Sequence, residues 1–259
     1  MSKNVLSLHN IGYSYHTTQG ETLALKDISF DVKQGEFLAI VGPSGCGKTT
    51  LLSIIAGLLA PEEGTIVLPH NAKDMRSSIG YMLQRDHLFP WRTIYQNAIL
   101  GLEIQNKLND VNKAYVEHLL EEYELADFSD KYPDQLSGGM KQRVALIRTL
   151  ALNPDILLLD EPFSALDYQT RLNVSDDICK RIRKAGKTVI LITHDLSEAI
   201  SLSDRILVLS KRPSTVKYEL EIKLDSQHRH PVRSRTTQKF GEYFNILWEE
   251  LQNESDTID

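Results

Sequence analysis

The sequence predicts an α/β protein: a mostly parallel sheet holding a glycine-rich loop, with an antiparallel β portion and a helical insertion attached. Three observations predict it. FLAIV at 37 to 41, ILLLD at 156 to 160 and TVILIT at 188 to 193 are short, continuous apolar runs. Such runs suit strands covered on both faces. The first run enters GPSGCGKTT at 42 to 50 and continues into KTTLLSIIAGLL, a strand–glycine loop–helix succession. From about residue 86 to 150 the pattern turns helical, so an insertion separates the first run from the later ones.

The elements come in this order. VLSLHNIGYSY and LALKDISFDV read as two strands, with HTTQG at 16 to 20 as the turn between them. TIVL at 65 to 68 and SIGYML at 78 to 83 are further strand candidates. Val111, Tyr115, Leu119 and Tyr123 recur every four residues, which predicts a helix. In the tail, Val216, Tyr218, Leu220, Ile222 and Leu224 alternate with charged residues, as in a half-buried strand. Phe240, Phe244, Leu247, Trp248 and Leu251 then share one helical face. The predicted organisation is residues 1–85 for the β subdomain and loop-bearing part of the core, and 86–150 for the helical subdomain. Residues 151–210 complete the core, and 211–259 form a C-terminal extension.

Composition narrows the function. The chain has 259 residues, 41% apolar and 25% charged, enough for a sizeable core. A net charge of −6 argues against a nucleic-acid coat. Two cysteines, Cys46 and Cys179, make no disulfide framework and fit a reducing compartment. MSKNVLSLHN lacks the apolar centre of a signal peptide, and LLSIIAGLLA at 51 to 60 is too short to span a bilayer. Work at a membrane would need another chain to do the spanning.

Gly42, Gly47, Lys48 and Thr49 fill the spacing GxxxxGK[ST]. The glycines let backbone N–H groups point at phosphate oxygens. Lys48 supplies a charge to the β and γ phosphates, and Thr49 a hydroxyl to Mg²⁺. Asp160 and Glu161 end an apolar strand, and two adjacent carboxylates there are costly unless something neutralises them. Mg²⁺ with a triphosphate would do so, with Asp160 reaching the metal shell and Glu161 polarising an attacking water; a solvated strand end is the plain alternative. His194 and Gln84 also end strands, where ligands of open parallel sheets bind; a lone histidine there is more often structural, and a lone glutamine more often plain surface. Tyr13 and Tyr15 precede the loop, and either ring can stack on adenine or lie in the core. Cys46 is expected to be no nucleophile, since phosphoryl transfer needs positioning and charge; alkylation should reach it, with ATP protecting. HRHPVRSR at 228 to 235 reads as a solvated basic loop, with anionic lipid as the alternative.

LSGGMKQR at 136 to 143 sets a serine and paired glycines at an expected helix start, a second anion-reading device about ninety residues after the first. With this segment in place, the chain resembles the ATP-binding subunits of ABC transporters. The likeness runs through Walker A at 42 to 49, the Q-loop at Gln84, the signature LSGGMKQR, Walker B ILLLDE, the D-loop SALD ending at Asp167, and the switch His194. It implies a P-loop NTPase of the ABC type, hydrolysing ATP with Mg²⁺. ATP would contact Tyr15 and the loop Gly42, Pro43, Ser44, Gly45, Cys46, Gly47, Lys48, Thr49 and Thr50. Lys48, Gln84, Glu161 and His194 would be catalytic, and Thr49, Gln84 and Asp160 would hold the metal. Two copies would meet head to tail, so that Ser137, Gly138, Gly139 and Gln142 read the partner's ATP.

QRDHLFPWRT resembles the importers of nitrate, sulfonates or taurine and their relatives for pyrimidine precursors, as does RPSTVKYELEIKL. This implies transmembrane permease subunits docking from Gln84 to Trp91, with packing inside the helical subdomain as the alternative for Trp91. An extracytoplasmic solute-binding protein would act indirectly, and no nucleic acid is expected. The subunit would sit peripherally on the cytoplasmic face of a bacterial membrane. An exporter or lipoprotein-release ATPase, or a soluble non-transport ABC ATPase, are the other readings. The last usually carries long coiled coils or zinc modules, and this chain has neither the heptads nor the cysteines.

Overall fold

The computed structural model describes residues 3–18, 20–68, 79–164, 166–224 and 234–252. Two long strands open the chain, β1 (Asn4–Thr17) and β2 (Gly20–Lys33), paired antiparallel. β3 (Phe37–Val41), buried throughout, leads through the glycine loop into helix α1 (Lys48–Ile55). α1 is shorter than the apolar run suggests, because Gly57 takes φ 71° just beyond it. Gly57 N–H bonds the Ile54 carbonyl and Leu58 N–H that of Ser53, a Schellman closure that needs the left-handed residue.

β4 (Glu63–Val67) returns to β1, giving a three-stranded antiparallel sheet in the order β2-β1-β4. β5 (Ile79–Met82) enters the main sheet. The helical insertion holds α2 (Ile94–Ala98), α3 (Leu100–Ile104), α4 (Asp110–Glu122) and α5 (Gly138–Leu150). Next come β6 (Ile156–Asp160), α6 (Tyr168–Lys184), β7 (Thr188–Ile192), α7 (Leu196–Leu202) and β8 (Arg205–Leu209). β9 (Val216–Glu221) and α8 (Gln238–Gln252) complete the described chain. The six-stranded sheet runs β5-β6-β7-β3-β8-β9, with only β9 antiparallel to its neighbour. This is why β3, β6 and β7 read as unbroken apolar runs: both faces are covered.

Two expectations shift. The tail strand does not stand apart from the core: β9 pairs with β8 as the edge of the main sheet, and Ile222 and Leu224 join α7, β8 and α8 in one apolar cluster. In α4, Val111 lies exposed while Leu119 is buried and Tyr123, the residue just past the helix, is buried too. Four residues turn about 400°, so a row spaced by four drifts about 40° per step off its starting face. Val116 and Leu120 complete the buried stripe instead. Trp248 is likewise half exposed, stacked on Phe244 at 6.1 Å, while Phe240 and Leu247 carry the burial of α8.

Of the basic cluster at 228 to 235, all but Ser234 and Arg235 lies outside the described residues, as does residue 165 of the SALD stretch. No helix among the described residues is long and apolar enough to cross a membrane.

Candidate active site

The parallel strands β3, β5, β6, β7 and β8 all end at one edge of the sheet. The chain leaves β3 into the glycine loop, β5 towards Gln84, β6 at Asp160 and Glu161, and β7 towards His194. These segments wall a cleft of about 600 Å³, lined by the glycine loop with Lys48, Thr49 and Thr50, by Gln84, Glu161 and His194, and by Arg212. Its place fits the general rule for open parallel sheets.

α1 begins differently from its neighbours. Asn109, Ser137, Asp167 and Asp195 each cap a helix through a side-chain oxygen, whereas Gly47 caps α1 with none. The first N–H groups of α1 therefore stand open towards the cleft, as an anion site requires. Gly47 has φ 118°, and a Cβ there would lie 2.9 Å from Leu25 Cδ2, so no other residue fits without strain. Lys48 folds back and donates from Nζ to the carbonyls of Gly42 and Pro43, both at 2.8 Å. Those are replaceable partners for a lysine that a phosphate would attract.

Glu161 is the meeting point. Gln84 Nε2 donates to Glu161 Oε2 at 3.0 Å, and His194 Nδ1 lies 3.2 Å from the same oxygen. Two residues from two strand ends thus converge on the carboxylate that ends a third. The backbone is strained to achieve this: Glu161 has φ 45°, rare for a residue with a side chain. Its N–H is tied to the Ile192 carbonyl and its own carbonyl accepts from the Ser164 hydroxyl.

Asp160 lies behind it, 4% exposed. Burial pushes its carboxyl above the usual range, and the charge of Glu161 adds to this, while the Thr49 and Tyr81 hydroxyls and Lys48 oppose it. Tyr81 donates to Asp160 at 3.4 Å, and its own phenol is pushed up to about 12 by burial and by Asp160. A buried carboxylate short of positive charge, facing Thr49, suits a cation. Among the described residues no three His, Cys, Asp or Glu side chains gather into a metal cage. That donor set fits Mg²⁺, which takes one or two protein oxygens and completes its shell with phosphate and water.

Other expected residues sit apart. Tyr15, 37% exposed, bonds Thr50 Oγ1 at 2.8 Å beside the cleft, while Tyr13 meets it edge-on at 5.1 Å and packs on the core. Cys46 is 2% exposed and part of an apolar cluster, so the expected alkylation site is closed. Cys46 and Pro43 belong to the loop but do not wall the cleft. Ser137, Gly138, Gly139 and Asp167 do not line it either. Ser137 and Gly138 are exposed, while Gly139 is buried against Thr170 and Val174 of α6. Gln142 is turned inward, 3% exposed with its Oε1 unpaired among the described residues, because it falls one helical turn on from buried Gly139 and one turn before buried Leu146, on the packed side of α5. It does not share the exposed face of Ser137. Asp167 caps α6, accepting from Thr170 N–H at 3.0 Å; the Thr170 hydroxyl, and then this N–H, hold its carboxyl below the usual range.

Arg212 is not among the residues to which the sequence points. It stands in the turn after β8 and opens the stretch RPSTVKYELEIKL, whose likeness to the importer group gives its arginine no role at the nucleotide.

The chain matches the family model described as ABC transporter over residues 25–164. An uncharacterized ABC transporter ATP-binding protein of Bacillus subtilis is 44% identical, across 96% of this chain and 96% of its own. A taurine import ATP-binding protein of Jannaschia sp. is 42% identical over 84% of this chain and 82% of its own. The dimeric structure of a bacterial ABC transporter cassette superposes with a TM-score of 0.73 at 33% identity, covering 85% of this chain and all of that one.

Proposed function

The chain belongs to the ABC transporter ATP-binding family, and from that premise we propose that it is the ATP-hydrolysing subunit of an importer for a small solute. The solute is an anion of the nitrate, sulfonate or taurine type or a pyrimidine precursor. The single observation that carries the chemistry is the convergence of Gln84 and His194 on one oxygen of Glu161 beside the glycine-loop cleft.

In this reading the open N–H groups of α1 and the ammonium of Lys48 take the β and γ phosphates. Thr49, Asp160 and Gln84 hold Mg²⁺, which when bound offsets charge on the phosphate oxygens. Glu161 accepts a hydrogen bond from water and orients it for in-line attack on the γ-phosphorus. His194 fixes the Glu161 carboxylate and faces the transferring group. Positioning and charge supply the rate, as phosphoryl transfer requires. Tyr15, at the rim beside Thr50, stacks on the adenine.

The signature acts across a dimer. Ser137 and Gly138 are exposed, and a Cβ on Gly138 would meet nothing closer than Leu166 Cδ2 at 3.6 Å. This chain's own packing therefore gives no reason for glycine there. Close approach of a second subunit's phosphate does. Asp167, at the exposed start of α6, lies on the same joining surface.

The permease docks at the segment from Gln84 to Trp91. Trp91 is 70% exposed and stacks on Phe89 at 5.0 Å, which supports docking over internal packing. Buried Asn97 ties this segment down: it accepts from Phe89 N–H and donates to the carbonyls of Phe89, Arg92 and Thr93. The result is a rigid aromatic knob suited to a partner. The subunit then lies on the cytoplasmic face of a bacterial membrane, with an extracytoplasmic binding protein choosing the solute.

One preparation tests this. Wild-type and Glu161→Gln protein are recovered from gently solubilised membranes with ATP present. The variant should turn over at least ~10²-fold more slowly, the low end for general-base loss, while still binding ATP. Both should bring down a multi-span permease. Near-normal hydrolysis in the variant would sink the assignment of Glu161, and recovery without any membrane protein would sink the importer.

A further inference from the structure

We propose that Arg212 is a second cationic ligand of the nucleotide's phosphates, presented by the turn between β8 and β9. The inference rests on the ATPase reading above and adds to it a residue outside the six nucleotide motifs, at the head of the stretch RPSTVKYELEIKL.

Topology points first to this turn. Four parallel strands, β3, β5, β6 and β7, each deliver a functional residue to the cleft from their carboxyl ends. β8 is the fifth strand of that set, and Arg212 is the cleft-lining residue that comes after it. Placement agrees with topology. The end of β8 packs directly on the start of the phosphate loop: a Cβ on Gly42 would lie 3.0 Å from the Leu209 carbonyl. The turn beyond is clamped. Ser214, wholly buried, donates its N–H to the Ala24 carbonyl at 3.0 Å, and its own carbonyl accepts from Lys26 N–H at 2.9 Å. Ser210 Oγ accepts from Thr215 N–H at 2.9 Å, and Ser214 Oγ donates to the Ser210 carbonyl at 3.1 Å. The base of the turn is thus fixed to both sheets, while Arg212 at its tip is exposed.

Charge then gives the residue a role. Arg212 makes no ion pair or hydrogen bond with any described residue, although carboxylates are plentiful in a chain of net charge −6. The cleft sets one cation, Lys48, against Asp160 and Glu161. That balance is negative before an anionic triphosphate arrives. Arg212 brings it to neutrality, and a guanidinium offers a planar fork that matches phosphate oxygens.

The test is nucleotide binding to the full chain, by calorimetric titration with MgATP and MgADP, in wild type, Arg212→Ala, Arg212→Lys and Lys48→Ala. Inorganic tripolyphosphate is run as a competitor of ATP. Arg212→Ala should weaken ATP binding by about tenfold, the scale of one charged hydrogen bond. Tripolyphosphate should lose potency in parallel, and Arg212→Lys should recover part of both. Weaker ATP binding with tripolyphosphate potency unchanged would place Arg212 on the base or ribose and overturn the proposal. Unchanged binding with slowed turnover would overturn it too, moving Arg212 to contact with a second subunit. A thermal melt matching wild type keeps a folding defect from imitating the result. If wild type itself fails to bind ATP, or Lys48→Ala binds normally, the fault lies with the ATPase reading instead.

Discussion

At the scale of the residue, carboxylates buried behind the cleft, Asp160 and Glu198, make the protein sensitive to pH. Glu198 lies on α7, one turn past His194. Burial pushes its carboxyl up to about 7; a bond from the Thr193 hydroxyl opposes the shift, Asp195 adds to it, Arg171 opposes it and Glu161 adds to it. One of its oxygens, Oε1, has no partner among the described residues. Linkage sets the sign. Between the unfolded value of 4.5 and about 7, the folded state holds a proton that the unfolded state has lost. Stability from this group is therefore present at low pH and declines as pH rises through that window. Glu198→Gln removes the titration, so its melting temperature should gain on wild type between about pH 5 and about pH 8. Melting curves that stay parallel across that range would show that Glu198 does not carry the effect.

At the scale of the element, strand ends were legible and partnerships were not. The apolar runs of β3, β6 and β7 are readable because burial on both faces leaves no room for polar residues, and the residues just past each run fall at the sheet edge. Gln84 and His194 were readable only through their order among the other motifs, since either side chain alone is common at a strand end. Alternation in β9 gave half-burial but not its neighbour β8, because a period of two says nothing about which strand lies alongside. Arg212 escapes notice for a related reason: RPSTVKYELEIKL carries a likeness to one importer group, but nothing in it says that the turn brings the arginine to the cleft. The paired glycines of the signature read as one device in sequence, and the structure separates them. Gly139 lies against α6, where a Cβ would already meet Thr170 Cγ2 at 3.3 Å and Val174 Cγ2 at 3.4 Å. Gly138 faces outward with space around it. Gly139→Leu should therefore destabilise the fold by about 1–3 kcal/mol, the usual cost of overpacking. Gly138→Ala should melt within about 0.5 kcal/mol of wild type, as surface changes do, yet hydrolyse ATP more slowly. Equal melting of the two variants would refute this division of labour.

At the scale of the whole molecule, the question is why one chain carries two phosphate-reading devices that do not share a cleft. If each device works with the opposite one of a second copy, then every active site is composite and each dimer holds two. The consequence can be counted. Lys48→Ala spoils the phosphate loop of a subunit but leaves its signature intact. Gly138→Asp spoils the signature, by setting a carboxylate where phosphate must come, but leaves the loop intact. A dimer of either variant has no intact site. A mixed dimer has one site with both halves damaged and one with both halves whole. Subunits mixed in equal amounts pair at random, so half the dimers are mixed and about a quarter of all sites are intact. ATPase activity of the mixture should rise clearly above that of either variant alone, towards about a quarter of wild type. If the two devices served the same chain, every subunit in the mixture would remain defective and mixing would restore nothing. A mixture no more active than its components, measured after subunit exchange has been verified, would therefore refute the head-to-tail arrangement while leaving the chemistry at Glu161 untouched.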